Sequence, residues 1–63
     1  MSTVRELRQH VRDMIVKHPE LRSEMLDLLE LCIDEIEEGG SPSNEIHLCM
    51  SDIDQLIKNQ ESI

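Results

Sequence analysis

Apolar residues in this chain recur at intervals of three and four, in three blocks separated by proline and glycine. In the first block, Val4, Leu7, Val11, Met14 and Ile15 fall within an arc of ~100° at helical periodicity, which predicts a helix over about residues 4–17. The second block, Leu21, Met25, Leu26, Leu28, Leu29, Cys32, Ile33 and Ile36, predicts a helix over about 19–38. Ile46, Cys49, Met50, Ile53, Leu56 and Ile57 mark a third, over about 43–59. No stretch alternates with the period of two that a half-buried strand requires. The pattern therefore predicts an all-α fold of one small domain, residues 1–63. Its second and third helices form an antiparallel hairpin, and the N-terminal helix completes a small three-helix arrangement.

The ends of the helices are written in the polar residues. Thr3 and Glu6 have capping-box spacing, a hydroxyl at the N-cap and a carboxylate three residues later. Lys17 and His18 suit the negative end of the first helix dipole. Pro19 stops that helix, because the residue before proline avoids helical geometry, and fits the first position of the next one. Glu20 follows where a carboxylate is favoured. Gly39 and Gly40 supply a C-terminal stop. The third helix can be capped by Ser41, with Pro42 at its first position, or by Ser43. Residues 60–63 are expected to fray.

The second helix carries more apolar surface than one neighbour can hide. Its arc is ~160° wide, against the usual ~100° stripe. Either the first and third helices cover both sides, or the third helix and a second copy of the chain do. The His18-Pro19 turn could fold the first helix back or leave it projecting. Val16, Leu31 and Leu48 fall off the main stripes, and with Leu26 they outline a possible docking patch. The residues selected as candidate partner or dimer contacts are Leu26, Leu29, Leu31, Ile33, Leu48, Arg5, Arg8 and Arg12.

Charge divides the chain unevenly. Residues 1–18 hold four basic and two acidic side chains, a net of +2; residues 19–63 hold two basic and twelve acidic ones, a net of −10. Fields of this kind select partners by sign. At 63 residues with no aromatic side chain, the chain lacks the largest core contributors. A chain this short buries only ~60% of its unfolded surface, and two cysteines make no disulfide framework. Small domains without such staples often self-associate, so a homodimer is the expected state. With 32% charged residues, disorder is the competing reading; the regular helical period opposes it.

Candidate chemistry changes this picture little. Pairing the hairpin outward from its turn sets Cys32 opposite Cys49, with the two sulfurs predicted to pack together as buried hydrophobes or as a redox-responsive pair. No neighbouring cation in the sequence would activate either thiol. His10, His18 and His47 lack structural-zinc spacing, and His47 and Cys49 at i, i+2 face different ways on a helix. No cofactor or metal is expected. Asp34, Glu35, Glu37 and Glu38 crowd the unfavourable end of the second helix, as solvated surface or as a counterpart to Arg5 and Arg8 of this or another copy. The row Arg5, Arg8 and Arg12 could dock on those acids or stand in solvent. It is a thin nucleic-acid footprint in a chain of net −8, so no direct nucleic-acid partner is expected.

No phosphate loop, nucleophile elbow or triad is present, and a bundle of this size is not expected to hold a pocket of several hundred cubic ångströms. The chain is read as non-enzymatic. No apolar run approaches the ~20 residues of a membrane span, and no signal-peptide core is seen; with two free thiols, a cytoplasmic location is expected. The functional expectation is a small acidic helical interaction module, a regulator or adaptor that binds a protein partner and itself. The alternatives are a nucleic-acid mimic that blocks a DNA- or RNA-binding protein, and a structural subunit of a larger assembly.

Overall fold

The computed structural model describes residues 3–61 and contains three α-helices. Helix α1 spans Val4–Lys17, a 3-10 turn spans Pro19–Leu21, α2 spans Arg22–Glu37, and α3 spans Pro42–Glu61. The fold is all-α, with no strand among the described residues.

At the start of α1, extended Thr3 accepts a hydrogen bond from the Glu6 N–H at 3.3 Å through its Oγ1, and from the Leu7 N–H at 3.0 Å through its carbonyl. One side chain thus satisfies a donor that the first turn would otherwise leave orphaned. At the far end, the His18 N–H donates to the Met14 carbonyl at 2.8 Å. The His18 Nδ1 lies 3.7 Å from Glu20 Oε1, an ion pair when the ring is protonated.

Pro19 does not open α2 directly. It opens the 3-10 turn, closed by the Leu21 N–H donating to the His18 carbonyl at 3.0 Å, and regular α geometry begins only at Arg22. This turn reverses the chain, so the first helix folds back in cis. It also buries Leu21.

The stop of α2 is a Schellman motif. The Gly40 N–H donates to the Glu35 carbonyl at 2.8 Å and the Gly39 N–H to the Ile36 carbonyl at 3.1 Å. Gly39 has φ +110°, a region that side chains disfavour. Gly40 has a different constraint: a Cβ there would stand 2.8 Å from the Glu35 carbonyl oxygen. Of the two proposed caps for α3, Ser41 takes the position, with Pro42 first in the helix and the Glu45 N–H bonded to the Ser41 carbonyl at 2.9 Å. Residues 60 and 61 continue α3 instead of fraying; Ser62 and Ile63 lie outside the described residues.

α2 packs against both α1 and α3, and α1 also touches α3. The core is formed by Leu7 and Val11 of α1, Leu21, Met25 and Cys32, and Ile46, Cys49 and Ile53 of α3. Every buried residue among those described is apolar, and the rest of the stripes in α1 and α3 pack around this cluster. The bundle measures 37 × 20 × 18 Å, long in one direction because a 20-residue helix is itself ~30 Å. No helix among the described residues is long and apolar enough to cross a membrane.

Candidate protein-docking groove between the first two helices

The wide face of α2 is only partly covered. Looking across it by helical angle, Cys32 and Met25 face the core and Leu28 lies toward α3. Leu29 turns toward α1, and Ile33 and Leu26 fall beyond it. Leu29 packs against the core, but Leu26 is 38% exposed and Ile33 lies outside the core cluster. α1 and α3 thus flank the wide face on both sides within one chain and still leave Leu26 exposed and Ile33 half-buried. The cause lies on α1. Its stripe directs Leu7 and Val11 inward, which leaves Arg8 and Arg12, one step further round, against the far edge of α2.

The result is an open groove of about 500 Å³, walled by Arg5, Arg8 and Arg12 of α1 and by Leu26 and Leu29 of α2, with Ile15 at one end. A hollow of about 230 Å³ extends it along α2, where Arg8 meets Leu26, Leu29, Ile33 and Glu30. A space of several hundred cubic ångströms thus exists, contrary to the expectation from chain length. It lies on the surface and not in the interior, because long arginine side chains and an uncovered leucine raise its walls. Six of the eight candidate contact residues converge here: Arg5, Arg8, Arg12, Leu26, Leu29 and Ile33.

None of the three arginines makes an ion pair among the described residues, so the docking of this row onto α2 acids within one chain is not found. Three guanidinium groups stand beside an apolar strip with their charge uncompensated at close range. Acidic residues lie on the other side of that strip. Glu30 borders the hollow shared with Arg8, and also a second hollow lined by Asp27, Leu31 and Asp34. Helical angle places Glu37 in the same row. Glu35, Glu37 and Glu38 are all exposed near the C-terminus of α2.

The other two candidate contacts, Leu31 and Leu48, lie elsewhere. They are 61% and 53% exposed and flank a narrow cleft of about 100 Å³ between α2 and α3, with Cys32 and Cys49 at its floor. Val16, 81% exposed, stands alone on the outer side of α1. The single patch expected from these off-stripe residues is thus divided among separate faces.

Cys32 and Cys49 are buried free thiols that share the core and line the same narrow cleft between α2 and α3, as the hairpin pairing predicts. Cys49 Sγ also donates to the Leu28 carbonyl at 3.6 Å. Burial pushes the Cys49 thiol up to about 12, with Cys32 adding to the effect, and burial likewise raises Cys32. Both are held as neutral thiols, the inert form. His10 and His18 are half-buried and His47 is exposed. No group of three or more histidine, cysteine or carboxylate side chains among the described residues is arranged to hold a metal ion.

The groove was legible in part. Both of its walls appear in the sequence, as an arginine row beside one stripe and an over-wide stripe in the next helix. Their meeting is set by the 3-10 turn, which fixes how α1 is laid on α2 and leaves no signal in the apolar period. Compared with known proteins, the chain matches no family model, no curated protein and no solved structure at a significant level.

Proposed function

We propose that the protein is a non-enzymatic interaction module, a small regulator or adaptor, whose groove between α1 and α2 docks a helical segment of a protein. The observation that carries this reading is the apolar strip Leu26, Leu29 and Ile33 beside three arginines without ion-pair partners. An amphipathic helix lays apolar anchors into such a strip, and acidic residues on its flank would meet the guanidinium groups, which suit carboxylates geometrically. The groove offers such a helix long cationic side chains from α1 and branched apolar ones from α2, the surface chemistry of a protein contact. Two free thiols fit a reducing compartment such as the cytoplasm.

The test is a comparison of the native chain with Leu26→Glu as bait. Leu26 contributes to the groove and not to the core, so circular dichroism should be unchanged. Partner binding, measured by quantitative recovery and then by titration of the purified partner, should weaken at least ~10-fold. Equal recovery by both baits would remove the groove from the function.

A second reading rests on the acidic side of α2. Asp27, Glu30, Asp34, Glu35 and Glu37 are all exposed on one 16-residue helix, and Glu38, its C-cap, is exposed as well. Such a display supports imitation of a phosphate backbone, directed at a nucleic-acid-binding protein. Partner binding that falls steeply with salt and is displaced by duplex DNA would favour it over the groove.

A further inference from the structure

The α1–α2 face presents three parallel rows. First is the basic row Arg5, Arg8 and Arg12; next, the apolar strip Leu26, Leu29 and Ile33; last, the acidic edge, where Glu30 borders the strip and Asp27 and Asp34 follow further round α2. A surface with this order, plus then apolar then minus, is complementary to itself in one orientation. We propose that the groove docks a second copy of this chain, forming a two-fold dimer in which the two α2 helices run parallel, strip on strip. This rests on the reading of the groove as a protein-docking face.

The orientation follows from symmetry. A two-fold interface brings the same patch of both copies together. With the two-fold axis along the strip, each arginine row faces the partner's acidic row, and the α2 helices point the same way. An axis across the strip would run the helices antiparallel and set arginine against arginine, acid against acid. Like charges opposed in an interface are strongly disfavoured. The parallel arrangement gives Arg8 a carboxylate at its own level along the helix, the partner's Glu30. It also covers Leu26, which is 38% exposed, and completes the burial of Ile33, which is half-buried outside the core cluster.

Each copy carries a net charge of −8, which opposes approach at long range. At physiological ionic strength the screening length is ~8 Å, so that repulsion is damped while charges brought into contact are not. The arginine rows lie at the interface and the bulk of the acidic surface lies outside it.

The test reads the mass of the full chain by sedimentation equilibrium, with circular dichroism on the same samples. The native chain should be a dimer at micromolar concentration. Arg8→Glu alone and Glu30→Arg alone each place two like-charge contacts in the interface and should weaken dimerisation about tenfold or more. Mixed one to one, the two variants should restore it, because the mixed dimer regains opposite charges at both contacts. Rescue on mixing can arise only between chains, so it separates docking from any effect inside one chain. In the native dimer, isotope-filtered NMR should link Leu26 of one copy to Leu26 of the other, and not to Ile33; this holds even if a variant fails to fold.

A monomeric native chain overturns the proposal, as does a mixture no tighter than its components. So does an Arg8→Glu variant that dimerises more tightly, the signature of the antiparallel crossing. A monomer that still loses a foreign partner on Leu26→Glu would sink self-docking and leave the docking reading intact; a monomer indifferent to Leu26→Glu would sink both.

Discussion

The two cysteines show how a residue's neighbours decide its chemistry. Each sits where a small apolar side chain is needed between α2 and α3, and each donates its volume to the core while its thiol stays neutral. A raised thiol pKa means that the folded state binds the proton more tightly than the unfolded chain, whose thiols titrate near 9.0. The stabilising contribution is therefore complete below about pH 9 and is lost as pH climbs toward about 12 for Cys49. Urea midpoints should be level between pH 7 and 8.5 and fall by pH 10.5. In Cys49→Ala, which loses some packing at every pH, that alkaline fall should shrink. A midpoint that falls equally in both proteins would assign the alkaline effect to other groups. The sequence placed these two residues opposite each other correctly because hairpin register follows from turn position alone. Their pairing needed no information beyond helical period and the Gly39-Gly40 stop.

Elements were legible wherever a side chain or a missing one enforces the boundary. Thr3 and Gly39 acted where the sequence put them, because a hydroxyl acceptor and a positive φ are local requirements. Pro19 was ambiguous by nature: it satisfies the first position of an α-helix and of a 3-10 turn equally well, since both tolerate its missing N–H. Burial of Leu21 beside α1 selected the tighter turn, a tertiary effect that a local reading of Pro19 does not contain. The far end of α3 runs longer than its apolar stripe, carried by residues such as Gln55, whose side chain donates to Asn59 at 3.1 Å. The Schellman stop gives the sharpest element-scale prediction. Gly40→Ala should cost about 1 kcal/mol or more, because its Cβ meets backbone oxygen of Glu35, which cannot rotate away. Gly39→Ala leaves open space around its Cβ and loses only the positive-φ preference, so it should cost roughly 1 kcal/mol. Thermal midpoints of the two variants, measured against the native chain, separate close contact from backbone conformation; a Gly40→Ala midpoint above that of the native chain would mean that the carbonyl shifts freely.

At the scale of the molecule, the stripes specify a core and the charges specify what lies around it. Buried positions in α1 and α3 all came from the apolar period, because each of those helices has one face to hide. The period could not say which edge of α2 stays bare, since that depends on the rotation of α1 about its own axis against it. Outside the core, the chain holds fourteen acidic side chains and six basic ones. The ion pair between His18 and Glu20 requires a protonated ring, and Arg5, Arg8 and Arg12 make no ion pair among the described residues. With fourteen carboxylates against six cations, repulsion among the carboxylates is the larger long-range effect. Raising sodium chloride from about 10 to 300 mM shortens the screening length from ~30 to below ~8 Å, which should weaken that repulsion more than any attraction it screens. Stability should rise with salt by about 1 kcal/mol, a thermal midpoint shift of roughly 4–8 °C for a domain of this size. Dimer formation would add to such a shift only where the chains associate, so the salt series belongs at two protein concentrations. A shift of the same size at both reports self-repulsion within the fold. A midpoint that falls with salt would mean that the acidic and basic surfaces already compensate each other, and the uncompensated arginine row would lose its place as the feature that draws a partner.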